Sequence, residues 1–212
     1  MDHLSVLFER YPALLAIQEP LKAACNLLEE CFQKGGKLLL CGNGGSACDC
    51  EHIAGELMKS FVLPRRLDDD GTEALAACGD DGTLANGLQN GLPCLVLNGL
   101  PGLSSAFAND AEPALTFAQQ AWIYARPGDV LLGITTSGSS RNVVLAAQAA
   151  KARGAKVIGL TGAKLGRLAP LCDVLMNVPD TETYRIQEWH LPVYHAICLE
   201  LEERFFGKEQ NA

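Results

Sequence analysis

The chain has 212 residues, 48% of them apolar, and a net charge of −8 at pH 7. A chain of this length can bury one good core, so we expect one domain. The acidic balance argues against a general nucleic-acid-binding protein, which needs a basic face, and no apolar run is long enough to span a membrane.

The nine cysteines are an odd number and are not spaced as in a disulfide framework. Such a pattern favours reduced, buried thiols. The first twenty residues mix charged side chains into an apolar pattern, which differs from a secretory signal peptide. We therefore expect a soluble, cytoplasmic protein with neither a nucleic-acid nor a membrane partner.

The predicted elements begin with two helices in residues 3–34, where apolar residues recur at helical spacing and Pro12 and Pro20 interrupt the pattern. Five apolar runs of strand length follow, at residues 37–41, 94–98, 129–135, 156–161 and 173–178. Helix-compatible segments separate them, and this alternation predicts a parallel sheet with helices on both faces. The acidic segment 68–81 is predicted as a solvated, irregular loop, with a functional lid as the alternative.

A glycine-rich turn, GNGGS at residues 42–46, follows the first predicted strand. Its glycines allow a sharp turn, and Ser46 is predicted to cap the next helix. The free N–H groups and positive dipole end of such a helix suit a phosphate or a polarised sugar oxygen. On that helix His52 and Glu56 lie four residues apart and share one face.

A second turn, TTSGSS at residues 135–140, follows the third predicted strand and places five hydroxyl groups around one glycine. Hydroxyl and backbone N–H groups can hold a phosphate without a lysine. The alternative is that Ser139 or Ser140 caps the following helix while the other residues form a turn. The Walker lysine pattern and the dinucleotide fingerprint are both missing from the sequence, so neither NTP hydrolysis nor NAD chemistry is indicated.

The C-terminal amphipathic helix carries Gln187 and His195, eight residues apart and roughly 80° apart in projection. They can face one cavity, although Pro192 between them is expected to kink the helix. Together with His52 and Glu56 they offer imidazole, carboxylate and amide groups that suit a zinc-like divalent ion. The same groups could instead transfer protons in an enediol isomerisation.

Other ionisable residues of this helix have simpler interpretations. His190 is expected to be structural, and Glu188 and Glu202 are expected to be solvated charges. His195, taken alone, is most simply a structural histidine of the core or of an interface.

Several motifs occur in the order in which one known family has them. They are GNGGSxxDxxH at 42–52, Asn109-Asp110, GDVLLGITTSGSSxNV at 128–143, IGLTG at 158–162 and RIQEWHxxxYH at 185–195. On these motifs the chain resembles the sugar isomerase (SIS) domain family and, within it, the phosphoheptose isomerases. The resemblance implies an α/β fold, a three-layer sandwich around a flavodoxin-like five-stranded parallel sheet. It also implies one SIS domain over residues 1–212, with oligomerisation helices at 1–34, a core at 35–212, and a homotetramer with active sites between subunits.

The resemblance also assigns roles to residues. His52, Glu56, Gln187 and His195 would bind one zinc ion per site, and Glu56 and His195 would form the acid/base pair. The implied substrate-binding residues are Asn43, Gly44, Ser46 and Asp110 for the sugar, Thr135, Thr136, Ser137 and Ser140 for the phosphate, and Gln187. Two positions of the phosphate turn depart from the family, since Thr135 replaces a serine and Ser139 an asparagine. Residues 62–108 also differ from the well-known members.

The implied activity is aldose–ketose isomerisation of a phosphosugar, with sedoheptulose 7-phosphate to D-glycero-D-manno-heptose 7-phosphate as the favoured reaction. One alternative is a non-catalytic sugar-phosphate-binding or protein-interaction module. Relatives of that kind bind a replication initiator and lack the equivalents of Glu56 and His195. A metal-dependent phosphosugar hydrolase is the third hypothesis.

Overall fold

Strands and helices alternate along residues 2–207, the part of the chain that the computed structural model describes. The strands are Leu38–Gly42 (β1), Cys94–Val96 (β2), Val130–Thr135 (β3), Lys156–Thr161 (β4) and Val174–Asn177 (β5). The α-helices are His3–Arg10 (α1), Gln18–Gln33 (α2), Gly45–Met58 (α3), Asp69–Ala77 (α4), Thr83–Gly87 (α5), Pro101–Asp110 (α6), Thr116–Tyr124 (α7), Arg141–Ala152 (α8) and Thr183–Phe206 (α9).

The five strands form one sheet in the order β2-β1-β3-β4-β5, and every neighbouring pair is parallel. The predicted α/β fold and its parallel sheet are thereby confirmed. The order reverses between β1 and β3, and in such sheets ligands bind at the carboxyl ends of the strands at this reversal. Both turns singled out in the sequence lie at that point, GNGGS after β1 and TTSGSS after β3.

The core has two halves because side chains alternate across the sheet. Leu38 and Leu40 of β1 pack with helices α1, α2, α3 and α9 on one face. Leu39 and Cys41 of the same strand pack with α7 and α8 on the other. These contacts produce the predicted three layers and place the N-terminal helices beside α9.

Residues 68–81, predicted as an irregular loop, are mostly helical, and that prediction was wrong. Helix α4 begins after Asp68, whose side chain accepts a hydrogen bond from the backbone N–H of Gly71. Two of the acidic residues that suggested a solvated loop, Asp69 and Asp70, lie in the first turn, where negative charges interact favourably with the positive end of the helix dipole. None of the side chains of α4 is buried, so the segment is solvated as expected but ordered by its own cap.

The prolines interrupt the helices less than expected. Pro20 lies in the first turn of α2, where proline is tolerated, and a 3₁₀ segment, Pro12–Ile17, separates α2 from α1. Helix α9 continues through Pro192. Within residues 2–207, no helix combines the length and apolarity that a membrane span requires.

All nine cysteines are unpaired, and Cys48 and Cys78 are exposed rather than buried as predicted. Burial raises the pKa of Cys41 to about 12 and likewise raises that of Cys25 to about 12. Thiols that stay protonated at neutral pH are poor nucleophiles, so these buried cysteines act as apolar core residues.

His190, a fully buried residue of α9, should make the stability of the protein depend on pH. Burial lowers its pKa to about 4, against a smaller opposing effect of the Thr161 backbone. An unfolded histidine titrates near 6.5, so the stabilising contribution is complete above that pH and is lost as the pH falls toward 4. Between about pH 7.5 and pH 4.5 the loss should be about 2–3 kcal/mol.

Urea unfolding of the wild type and of His190→Leu at these two pH values measures this contribution. The variant cannot bind the proton, so its free energy of unfolding should fall less on acidification, by about 2–3 kcal/mol. Equal losses in the two proteins would show that His190 does not titrate in this way.

Candidate active site

The turn after β1 is closed by Gly44, and Gly44, not the predicted Ser46, is the N-cap of α3. Gly44 has a φ of 55°, a conformation in which glycine carries no steric penalty. Ser46 is instead the second residue of the helix and is buried. The helix therefore starts with no side-chain cap, which leaves its positive end for a ligand.

Two asparagines join the turns that follow β1 and β3. The Asn43 amide donates to Asn142 Oδ1 at 3.0 Å, and the Asn142 amide donates back to Asn43 Oδ1 at 2.8 Å. Asn142 lies in the first turn of α8 and was not among the predicted site residues. Its only sequence signal is its position directly after the hydroxyl-rich turn.

A cavity of about 220 Å³ lies at the carboxyl ends of β1 and β3. It is lined by Asn43, Gly44, Gly45, Ser46, Ile134, Thr135, Thr136, Ser140, Thr183 and Gln187, none of which carries a charge. Three helices begin here, since Gly45 starts α3, Ser140 precedes α8 and Thr183 starts α9. Because each helix N-terminus presents N–H groups and a positive dipole end, the cavity suits an anion such as phosphate.

The hydroxyl-rich turn contributes three side chains to this cavity. Thr135 is buried, and its Oγ1 lies 2.8 Å from the hydroxyl of Ser140. Ser140 occupies the N-cap position of α8 without capping it through its side chain. Ser139 is turned to Arg167, whose backbone N–H it accepts at 3.1 Å.

Two predicted substrate-binding residues lie outside this cavity. Ser137 lines a smaller neighbouring cavity together with Lys164 and Thr181. Asp110 is exposed at the end of α6, where it accepts a hydrogen bond from the Asn109 side chain at 3.0 Å. The remaining seven predicted substrate-binding residues, Asn43, Gly44, Ser46, Thr135, Thr136, Ser140 and Gln187, all line it.

The predicted acid/base residues meet at His52. Its Nε2 lies 3.2 Å from Glu56 Oε1 and 3.4 Å from His195 Nε2. Helices α3 and α9 pack against each other within one chain, so their meeting does not require a second subunit. We call His52, Glu56 and His195 the imidazole–carboxylate cluster.

The charges of this cluster are set by opposing effects. Burial alone would raise the pKa of Glu56 by favouring its neutral form. The hydrogen bond and positive charge of Lys59, together with the contact with His52, outweigh burial, so the pKa is lowered. Glu56 Oε2 is held by Lys59 at 2.9 Å, which leaves Oε1 toward His52. Burial and the neighbouring His52 lower the pKa of His195, and Glu56 opposes them. At neutral pH the cluster therefore contains a carboxylate beside a neutral His195.

Gln187 lies at the other end of the site from His195. A Cβ atom at Gly45 would come within 2.6 Å of Gln187 Nε2, so this glycine makes room for the amide. Along α9 the two side chains are about 12 Å apart. Within one chain, Gln187 therefore belongs to the anion cavity and His195 to the imidazole–carboxylate cluster.

The donors of the cluster suit a zinc ion in chemistry, and the two distances from His52 Nε2 to its neighbours are close to what that ion needs. Around an ion with ligands at about 2.0–2.1 Å, tetrahedral donors are separated by about 3.3 Å, close to both contacts of His52 Nε2. Within the described residues 2–207, no three His, Cys, Asp or Glu side chains are grouped closely enough to hold a metal ion. The zinc-ligand set accordingly stays a prediction.

A buried ion pair supports the end of α3 that carries Glu56. Arg65 and Glu202 are fully buried and contact each other at 2.8 Å. The Arg65 guanidinium donates to the carbonyls of Glu56 and Leu57 at 3.0 and 2.7 Å. It thereby satisfies two carbonyls at the C-terminal end of the helix.

Glu202 was predicted to be a solvated charge, and this was wrong. Its carboxylate accepts hydrogen bonds from the backbone N–H groups of Phe61, Val62 and Leu63 at 2.8–3.1 Å. The signal available in the sequence was the position of Glu202 on the apolar face of α9, where a carboxylate needs a partner.

Comparison with known proteins identifies relatives over most of the chain. The family described as the SIS domain matches residues 12–72 and 73–162. The phosphoheptose isomerase of Crocosphaera subtropica is 40% identical over 177 residues, which cover 84% of this chain and 78% of that protein. The phosphoheptose isomerase of Burkholderia pseudomallei is 35% identical over 93% of this chain and 89% of its own length. The solved phosphoheptose isomerase of Neisseria gonorrhoeae superposes with a TM-score of 0.74 at 33% identity, with 95% of each chain covered.

Proposed function

Since the chain belongs to the SIS domain family and, within it, to the phosphoheptose isomerases, we propose that it interconverts sedoheptulose 7-phosphate and D-glycero-D-manno-heptose 7-phosphate. One observation carries the proposal. An uncharged cavity at three helix N-termini lies at one end of α3 and α9, and the imidazole–carboxylate cluster lies about two helical turns further along both helices.

The spacing of these two ends matches the length of a seven-carbon sugar phosphate. Gly45 lines the anion cavity and His52 follows seven residues later, which is about 10 Å along the helix. In an extended heptose 7-phosphate, eight bonds separate C1 from phosphorus, and at about 1.2 Å per bond they span about 10 Å. A phosphate in the cavity would therefore leave C1 and C2 near His52, whose Nε2 lies 3.2 Å from Glu56 Oε1 and 3.4 Å from His195 Nε2.

The residues of the cavity and those of the imidazole–carboxylate cluster would then have different roles in the isomerisation. The helix N-termini and the hydroxyl groups of Thr135 and Ser140 hold the phosphate. Glu56 removes the proton from C1 of the ketose and returns it to C2 of the enediol. His195 gives a proton to the C2 oxygen and takes one from the C1 oxygen, so that the total number of protons is unchanged.

We include a zinc ion in the proposal, with His52, Glu56 and His195 as ligands. Gln187 is the fourth predicted ligand, and its side chain would have to move away from Gly45 to reach the same ion. The ion, when bound, would polarise the carbonyl group of the substrate. We also propose a cytoplasmic homotetramer, supported by exposed apolar side chains on the N-terminal segment and on α9, namely Val6, Leu15 and Leu191.

A panel of ketose phosphates with five, six and seven carbons, with and without zinc, tests the proposal. Product formation is followed by NMR. We expect kcat/KM to be highest for the seven-carbon substrate and at least about tenfold lower for the five-carbon one, whose C1 stops about 2–3 Å short of Glu56.

Ligand-induced stabilisation without any product would instead indicate a non-catalytic sugar-phosphate-binding module. Release of inorganic phosphate would indicate a hydrolase. Equal kcat/KM for all chain lengths would contradict the assignment of the phosphate to the cavity and of C1 and C2 to the imidazole–carboxylate cluster.

A further inference from the structure

Two asparagines outside the anion cavity hold the turn that follows β1. Asn98, which comes after β2, donates to the Gly42 carbonyl at 2.9 Å and accepts from the Gly42 N–H at 3.4 Å. This pair of bonds fixes the backbone where it leaves β1. Asn142 holds the next residue by its side chain, because the amides of Asn43 and Asn142 are joined by two reciprocal hydrogen bonds of 3.0 and 2.8 Å.

The orientation of the Asn142 amide is determined by its own helix. The N–H of Val143 lies in the first turn of α8, where N–H groups have no partner within the helix. It donates to Asn142 Oδ1 at 3.1 Å, which identifies that atom as the oxygen of the amide. The NH₂ group of Asn142 must then donate to Asn43 Oδ1, and the NH₂ group of Asn43 must donate to Asn142 Oδ1. The orientation of Asn43 is therefore set by that of Asn142.

The reciprocal pair leaves half of the Asn43 amide free. An asparagine side chain has two N–H donors and two acceptor positions on its oxygen, and the pair uses one of each. Asn43 is exposed and lines the anion cavity. Its remaining N–H and its remaining lone pair can bind hydroxyl groups, which both donate and accept. Without Asn142 the amide could rotate, because the last torsion of asparagine has only a broad preference.

We propose that Asn142 is a positioning residue, which holds the Asn43 amide in one orientation for the hydroxyl groups of a phosphorylated sugar. The identity of this ligand rests on the proposed function, whereas the hydrogen bonds between the two asparagines do not. Within residues 2–207, ten residues line the anion cavity and Asn142 is not one of them, since it lines a neighbouring open cleft. Asn142 therefore acts through Asn43 and does not touch the ligand. A side chain that is already ordered loses less freedom on binding, which raises the affinity.

Isothermal titration calorimetry of the full-length protein with two probes tests this role. One probe is a heptitol 7-phosphate, which has the hydroxyl groups of the sugar but no carbonyl group to isomerise, and the other is inorganic phosphate. The Kd of phosphate divided by the Kd of the heptitol phosphate measures recognition of the hydroxyl groups. Asn142→Ala should lower this ratio about 3- to 10-fold. Gln148→Ala, which removes an exposed amide from the same helix, should keep the ratio within about twofold of the wild type.

A double-mutant cycle shows whether Asn142 acts through Asn43. Asn43→Ala should lower the ratio at least as much as Asn142→Ala, and the double variant should stay within about twofold of Asn43→Ala. A second variant, Asn142→Asp, keeps the acceptor for the Val143 N–H but cannot donate to Asn43 Oδ1, so it should also lower the ratio. Its added charge weakens the binding of both anionic probes, and the ratio largely cancels that effect.

Three results would overturn the inference. One is a folded Asn142→Ala or Asn142→Asp protein with the wild-type ratio. Another is an equal effect of Asn142→Ala in the wild type and in Asn43→Ala, which would show that the two residues act independently. The third is a wild type that binds both probes equally tightly. If the cycle gives the expected result but no ketose phosphate is isomerised, the proposed function fails and the role of Asn142 stands.

Discussion

Replacing Glu56 with glutamine is expected to lower kcat for the seven-carbon ketose phosphate by about 10²- to 10⁴-fold, with KM changed little. The amide has nearly the shape of the carboxylate and can still face His52, so the geometry of the cluster is kept. It cannot accept the carbon-bound proton. Since the proposed phosphate site is formed by different residues at the other end of α3, binding should survive while proton transfer is lost.

Transfer of deuterium from solvent into C1 and C2, followed by NMR, measures this step directly. Glu51→Gln is the matched control, because Glu51 is an exposed glutamate of the same helix. It should retain wild-type turnover. If Glu56→Gln exchanged and isomerised at the wild-type rate, Glu56 would not be the base.

The largest expected effect on stability comes from Glu202→Gln, which should lower the free energy of unfolding by about 3–5 kcal/mol. The substitution leaves the Arg65 charge fully buried without its counter-ion. It also weakens the acceptor for three consecutive backbone N–H groups, those of Phe61, Val62 and Leu63. Urea unfolding at neutral pH measures the change.

Glu188→Gln on the exposed face of the same helix is the control and should alter stability by less than about 0.5 kcal/mol. The double variant Arg65→Met/Glu202→Gln removes the uncompensated charge and should recover part of the loss. Similar stabilities for Glu202→Gln and Glu188→Gln would show that the buried pair contributes little.

The sheet could be predicted from sequence because its strands are continuous apolar runs. Each observed strand begins and ends within two residues of its predicted run, as with residues 129–135 and Val130–Thr135. Parallel strands buried on both faces produce this pattern. The turns GNGGS and TTSGSS could also be predicted, because glycines and hydroxyl-bearing residues directly after an apolar strand are easy to identify in the sequence.

The features that could not be predicted from the sequence are mostly contacts between residues that lie far apart along the chain. Glu202 and Arg65 are separated by 137 positions, and neither sequence neighbourhood reveals the other. The segment 68–81 was misassigned because an acidic, glycine-containing stretch suits both a loop and a capped helix start. The pairing of Asn43 with Asn142 and the contact of His52 with His195 likewise follow from the packing of α3, α8 and α9, which spacing along one helix cannot reveal.

The anion cavity has a consequence for how such proteins diverge. In the proposed function it would hold its ligand with backbone groups and helix ends, supplemented by uncharged hydroxyl and amide side chains that line the cavity. The proposed reactive end would instead depend on three particular side chains, those of the imidazole–carboxylate cluster. Substitutions over evolutionary time can therefore erase catalysis and leave phosphosugar recognition intact, so a descendant can become a sensor without passing through a state that binds nothing.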